Sequence, residues 1–289
     1  MTGRFSLNLL ADLREILGFS FMVHAFLAGA AAAVLGGAVG WFMVLRRQAF
    51  AGHTLAVVSF PGAAAAGWLG LPLAVGYFGA CVLAALAIGL LPPTVGGSGR
   101  SEESAVIGTV QAFLLAAGFL FVSLYRGFLG GIDALLFGSF LGISAGRVVV
   151  VAAVSVGCLL ALGLIGRPLL FASVDPGVAA ARGIPVRLLS ALMLLVLGLA
   201  AAEISQITGA LLVFALLVMP AAAAQQLTAR PGPGLALAAG LGVAIVWLSL
   251  VIAYYAPYPV GFFTTSVGLV VYLLSVLLRR VRDGRLVTR

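Results

Sequence analysis

Nine apolar runs, fifteen to twenty-six residues long, follow one another between residues 20 and 278. About 20 apolar residues in helical form cross the hydrocarbon core of a bilayer. Backbone N–H and C=O groups in lipid must be satisfied within the spanning structure, which leaves helices or a closed barrel. The ten-residue alternation of a membrane barrel is absent. The chain is therefore expected to be all-α: a polytopic membrane helix bundle of about eight to nine transmembrane helices. The runs fall near 20–45, 53–71, 73–92, 105–124, 148–166, 188–202, 208–226, 234–254 and 261–278. Composition agrees, with 8% charged residues where a soluble domain carries about 25%.

Two places disturb the pattern. Pro61-Gly62 reads as a helix break inside the second run, and 126–145 reads as a half-buried or re-entrant element. No soluble domain is visible, so residues 1–289 read as one transmembrane domain. Its flanks are an interfacial N-terminal segment (1–18), a cytoplasmic loop (168–187) and a basic tail (279–289). Small residues such as Gly36-x-x-x-Gly40 and Ala221 to Ala224 suit close helix packing in lipid. Cys81 and Cys158 each stand alone inside a run and read as packing residues.

All sixteen basic residues are arginine, and twelve fall on one side of this map: Arg46, Arg47, Arg100, Arg167, Arg182, Arg187, Arg230, Arg279, Arg280, Arg282, Arg285 and Arg289. The positive-inside rule makes that side cytoplasmic and places the C-terminus there. The formal charge of +8 is thus an orientation signal, with no nucleic-acid partner implied. The multi-pass reading puts the protein in the cytoplasmic membrane.

Chemistry-bearing residues are few. "GGSGR" lacks the G-K-[ST] that engages nucleotide and magnesium, so the chain is expected to have no ATPase activity of its own. "GISAG" (142–146) formally matches the G-x-S-x-G elbow, which gives Ser144 as the nucleophile of an alternative, an intramembrane serine hydrolase. Glu203 closes an apolar run, and an ionisable residue at membrane depth is expected to face a bundle interior or an aqueous path. His53 opens a run just after a cytoplasmic turn, on one helix face with Val57 and Pro61. Imidazole is a ligand for zinc and other borderline metals.

Several stretches resemble one family, the zinc/manganese ABC transporter permeases. "RRQAFAGHTLAVVSFPGAAAAGWLG" resembles its second-helix signature, which reads RR and then G-D-x-L-x-H. "DALLFGSFLG" (133–142), "FASVDPGVAAARGIPVRLL" (171–189), "ITGALLVFALLVMPAAAAQQL" (207–227) and "YYAPYPVGFF" (254–263) are similar to later family segments, in order. The resemblance implies a homodimeric permease that receives a divalent metal from an extracytoplasmic metal-binding protein. It also implies a separate cytoplasmic ATPase subunit through which ATP acts, and no permanently bound cofactor. Asp175, Ala179 and Gly183 would lie in the element that couples to that ATPase, and His53 would be a candidate metal contact; Glu203 is a second candidate on its place at the end of an apolar run alone. At the family's Asp and His positions this chain has His53 and Val57. An imidazole in place of a carboxylate favours Zn2+ over Mn2+ as cargo. Dimer symmetry could bring two His53 side chains together as a gate. A metal chelate is the alternative cargo.

Overall fold

The computed structural model describes residues 14–90, 99–124, 142–210, 212–256 and 258–287, together with Leu135 and Gly138. Most of the interfacial segment 1–18 and most of the proposed re-entrant stretch 126–145 lie outside the described residues. Among the described residues the regular structure is helical. The helices are α1 (Ser20–Leu45), α2 (Ala49–Trp68), α3 (Leu73–Leu90), α4 (Gly99–Leu124), α5 (Ala145–Val174), α6 (Pro176–Ala181), α7 (Val186–Thr208), α8 (Val213–Leu227), α9 (Pro231–Tyr255) and α10 (Val260–Val287). Six of them are long and apolar enough to cross a bilayer, and Leu73–Gly89, Gly108–Leu124 and Val213–Leu227 are shorter apolar helices. Large apolar side chains such as Leu164, 83% exposed, stand on the outside of these helices. That placement suits a lipid solvent, in which apolar surface need not be hidden.

Two expectations about breaks need correction. Helix α2 runs unbroken through Pro61 and Gly62. Helix α5 runs through Pro168 to Val174, so the cytoplasmic loop expected at 168–187 narrows to 175–185. Proline interrupts helices in water, but inside membranes neighbouring groups re-satisfy the freed backbone. Thirty residues make α5 about 45 Å long, against about 30 Å of hydrocarbon. The basic tail continues the helix of α10.

The turn between α1 and α2 is tight. Gln48 N–H donates to Met43 C=O at 2.9 Å and Arg47 N–H to Val44 C=O at 3.0 Å. This is the Schellman pattern, whose left-handed residue is usually glycine. Here Arg47 takes it, at φ +57°, and a Cβ in that conformation costs about 1–2 kcal/mol.

Packing divides the chain into two compact units. One contains residues 1–41, 139–155 and 215–289. Within it α1 meets its neighbours at glycines: a Cβ on Gly37 would lie 2.6 Å from Ala238 O of α9, and one on Gly40 would overlap the Leu217 carbonyl of α8. Gln225 Nε2 donates to Trp41 O at 2.9 Å and Trp247 Nε1 to Phe26 O at 3.2 Å. His24 Nδ1 lies 3.1 Å from Ile143 O.

The other unit contains residues 42–138 and 156–214. Here α2 packs on α3, α4 and α7, and α3 packs on α7. Its core includes Phe60, Ala63, Tyr77, Cys81, Val122 and Ala202. Gly62 of α2 and Gly76 of α3 cross so closely that a Cβ on either would overlap the other's carbonyl oxygen. Both cysteines are free and buried, and Cys81 Sγ donates to Leu55 O at 3.3 Å.

Candidate functional site

His53 lies one turn into α2, with its side chain half-buried. Its ring meets Phe214 edge-on, with centroids 5.1 Å apart and planes at 74°. The basic turn just before it is engaged elsewhere. Arg46 Nε donates to Gln48 Oε1 at 3.2 Å, Nη1 to Ser173 Oγ at 3.0 Å and Nη2 to Ser190 Oγ at 2.6 Å. The stripe that begins at His53 goes inward, because Val57 and Pro61 are buried.

Glu203 is fully buried in α7, on the protein interior as a carboxyl at membrane depth must be. Close by in sequence, Ser205 Oγ donates to Ser59 Oγ at 2.8 Å, and Ser59 Oγ donates to Ala56 O at 2.6 Å. This pair fixes the register of α2 against α7. His53 is six residues before Ser59 and Glu203 two before Ser205, so they differ in depth by about 6 Å, one helical turn. Among the described residues no three of His, Cys, Asp and Glu converge on one point.

Pro61 stands where the His53 stripe meets a second face of α2, to which Gly62 belongs. With Thr54, Val58 and Ala65 they line an open groove of about 580 Å³ between α2, α3 and α4. Helical geometry puts the centre of that face about 120° around α2 from His53. The groove is apolar apart from Thr54 and Gln111. Thr54 Oγ1 shares its proton between Phe50 O at 3.0 Å and Gln111 Oε1 at 3.2 Å.

The element 175–185 is built by its own sequence. Asp175 is extended, and its Oδ1 accepts from Val178 N–H at 2.9 Å, with Pro176 at the first helical position. Such a cap satisfies an orphan donor at the helix start. At the other end Ile184 N–H donates to Ala179 O and Gly183 N–H to Ala180 O, both at 3.0 Å. Gly183 has φ +78°, the conformation the Schellman stop demands. Of the six residues in α6 only Ala179 is buried, and α6 rests on α7. Pro176, Gly177, Val178, Ala180 and Ala181 face outward. Arg182 lies over the Phe171 ring at 5.9 Å, a cation–π contact. Ala179 therefore seats the element, and Val178 heads its outward face.

Replacing Gly183 with alanine tests this construction. A Cβ there meets nothing within 4 Å, so the cost is conformational alone, about 1–2 kcal/mol. Amide exchange should quicken by roughly tenfold across 176–184, with thermal unfolding of the whole chain unchanged. A global loss of stability would show instead that Gly183 carries packing.

Ser144 has a structural use. Its Oγ accepts from Arg147 N–H at 3.4 Å at the start of α5. Residues 139–141, where the strand of a nucleophile elbow would stand, lie outside the described residues.

Sequence reasoning missed Arg46 as a hub, the Thr54–Gln111 pair and the Ser59–Ser205 pair. An arginine followed by serines at two later helix ends carries no local signal.

Comparison with known proteins bears on the whole chain. Residues 18–279 match the family model described as the ABC 3 transport family. The manganese transport system membrane protein MntC of Halalkalibacterium halodurans is 33% identical over 238 residues, 82% of this chain and 80% of that protein. The chelated iron transport system membrane protein YfeC of Yersinia pestis is 28% identical over 261 residues, 90% of this chain and 87% of that one. In fold, the chain is similar to a solved structure of PsaBC from Streptococcus pneumoniae in complex with Fab. The TM-score is 0.80 at 24% identity, covering 92% of this chain and 94% of that one.

Proposed function

Because this chain belongs to the ABC 3 transport family, a family of multi-pass membrane permease subunits with no catalytic activity of their own, we propose that it carries a divalent transition-metal ion inward for an ABC importer. The observation that carries the reading is the match over residues 18–279; the short helix α6, capped by Asp175, supports it as the element that would dock on the ATPase. No nucleotide motif is present in the sequence, so ATP acts through a separate cytoplasmic ATPase subunit. An extracytoplasmic binding protein delivers the metal, and two copies of this chain form the pathway.

His53 is the proposed metal contact, with Glu203 one turn further out on a neighbouring helix. The lone imidazole favours zinc. The similar proteins are named for manganese and for chelated iron, and the second name supports a metal chelate as the second reading.

The experiment is uptake by the complex of this chain with its ATPase and binding protein in proteoliposomes, offered Zn2+, Mn2+ and chelated iron separately. ATP-dependent accumulation of a free divalent ion is expected. Val178→Asp, a charge on the 44% exposed head of α6, should lower that uptake about tenfold or more through the ATPase contact, with assembly of the permease itself intact. Accumulation of the chelate alone would favour the second reading. Undiminished uptake by Val178→Asp would remove α6 as the docking element.

A further inference from the structure

A single guanidinium ties together three chain segments at the cytoplasmic ends of the helices. Arg46 is half-buried in the α1–α2 turn, and its three hydrogen bonds reach Gln48 of that turn, Ser173 and Ser190. Ser173 lies one residue before the end of α5, and Ser190 lies in the first turns of α7. These two serines are the stems of the segment that contains α6. Ser173 Oγ gives its own proton to Leu169 O, which leaves its lone pairs to accept from Arg46. Burial pushes the pKa of Arg46 below the ordinary arginine value, yet the group stays a cation held by neutral hydroxyl and amide oxygens. Three residues after Arg46 helix α2 begins, and His53 lies one turn along it.

We propose that Arg46 is a positioning residue that links the docking helix α6 to α2 and thereby to His53. The inference rests on the transport reading above. A push on α6 reaches its stems at Ser173 and Ser190, and both stems pull on one planar group. The arginine fork presents its donors in a fixed plane, so it passes on direction as well as displacement. Neutral acceptors hold it less tightly than a carboxylate would, which lets the three bonds break and remake during a cycle. The competing role is that of a topology charge, which lysine would serve equally well.

The test compares Arg46→Lys and the double variant Ser173→Ala/Ser190→Ala with the unmodified complex in proteoliposomes, using Zn2+ and Mn2+ and measuring uptake and ATP hydrolysis together. Uptake per ATP hydrolysed is expected to fall roughly tenfold in both variants, the scale of a typical coupling between sites. ATP hydrolysis should persist. Wild-type uptake per ATP in Arg46→Lys overturns the proposal, as does a parallel fall of hydrolysis and uptake. Absence of ATP-driven uptake in the unmodified complex would count against the transport reading instead. A second measurement then decides the linkage: amide exchange of the intact permease in nanodiscs. Arg46→Lys should quicken exchange in 49–53 and in 175–190 together. A rise confined to 46–48 overturns the proposal.

Discussion

Valine at Gly40 is expected to prevent the first compact unit from assembling. A Cβ there would lie 2.9 Å from the Leu217 carbonyl carbon and closer still to its oxygen. The obstacle is backbone, so no rotamer change relieves it. Helices α1 and α8 must separate, and in lipid their association depends on close packing between small residues. Overpacking of this kind costs about 1–3 kcal/mol when side chains can yield, and more when they cannot. Against a total stability of roughly 5–15 kcal/mol, a loss above about 3 kcal/mol would leave little folded protein. The control is Gly163→Val, also a glycine within an apolar helix, where a Cβ meets nothing within 4 Å. Monodisperse yield in detergent and thermal unfolding should collapse for the first and hold for the second. Equal behaviour would mean that the α1–α8 crossing is looser than the structure has it.

The second large effect concerns His53. His53→Ala should reduce metal uptake by about tenfold or more while assembly persists, as loss of a positioned polar contact on a transport path implies. The edge-on contact with Phe214 supplies a control, because His53→Phe keeps an aromatic ring and discards both ring nitrogens. If His53 acts as a ligand, Phe should fail as badly as Ala. His53→Asp should recover some uptake and shift preference toward harder ions such as Mn2+. Asn cannot bring the charge and should recover little. Rescue by Phe would make the residue a packing element, and rescue by Asn equal to Asp would make it a hydrogen-bonding one.

Much of the fold was legible because the hydrophobic period and length requirements of a bilayer are strong. The first run matches α1 residue for residue, and Asp175-Pro176 and Gly183 mark the two ends of α6 as their backbone chemistry requires. The helix ends near Pro61 and Pro168 were misread because proline's effect depends on what surrounds it. Ala179 was expected in the docking element but not as its buried seat, since six residues are too few for periodicity to choose a face. The polar pairs were invisible for a simpler reason: Thr54 and Gln111 are 57 positions apart, and Ser59 and Ser205 are 146 apart. No local pattern announces such partners.

The left-handed arginine at the first turn has a consequence for biosynthesis. Glycine at position 47 would relax the backbone, yet it would remove one of the two charges that follow the first apolar run. By the positive-inside rule that pair is expected to hold the newly made helical hairpin with its turn on the cytoplasmic face, before later spans exist to correct an error. On that reading, which way round the protein enters the membrane outweighs the ease of its folded backbone at this position, and the finished transporter carries the strain of Arg47 as a record of how it was made.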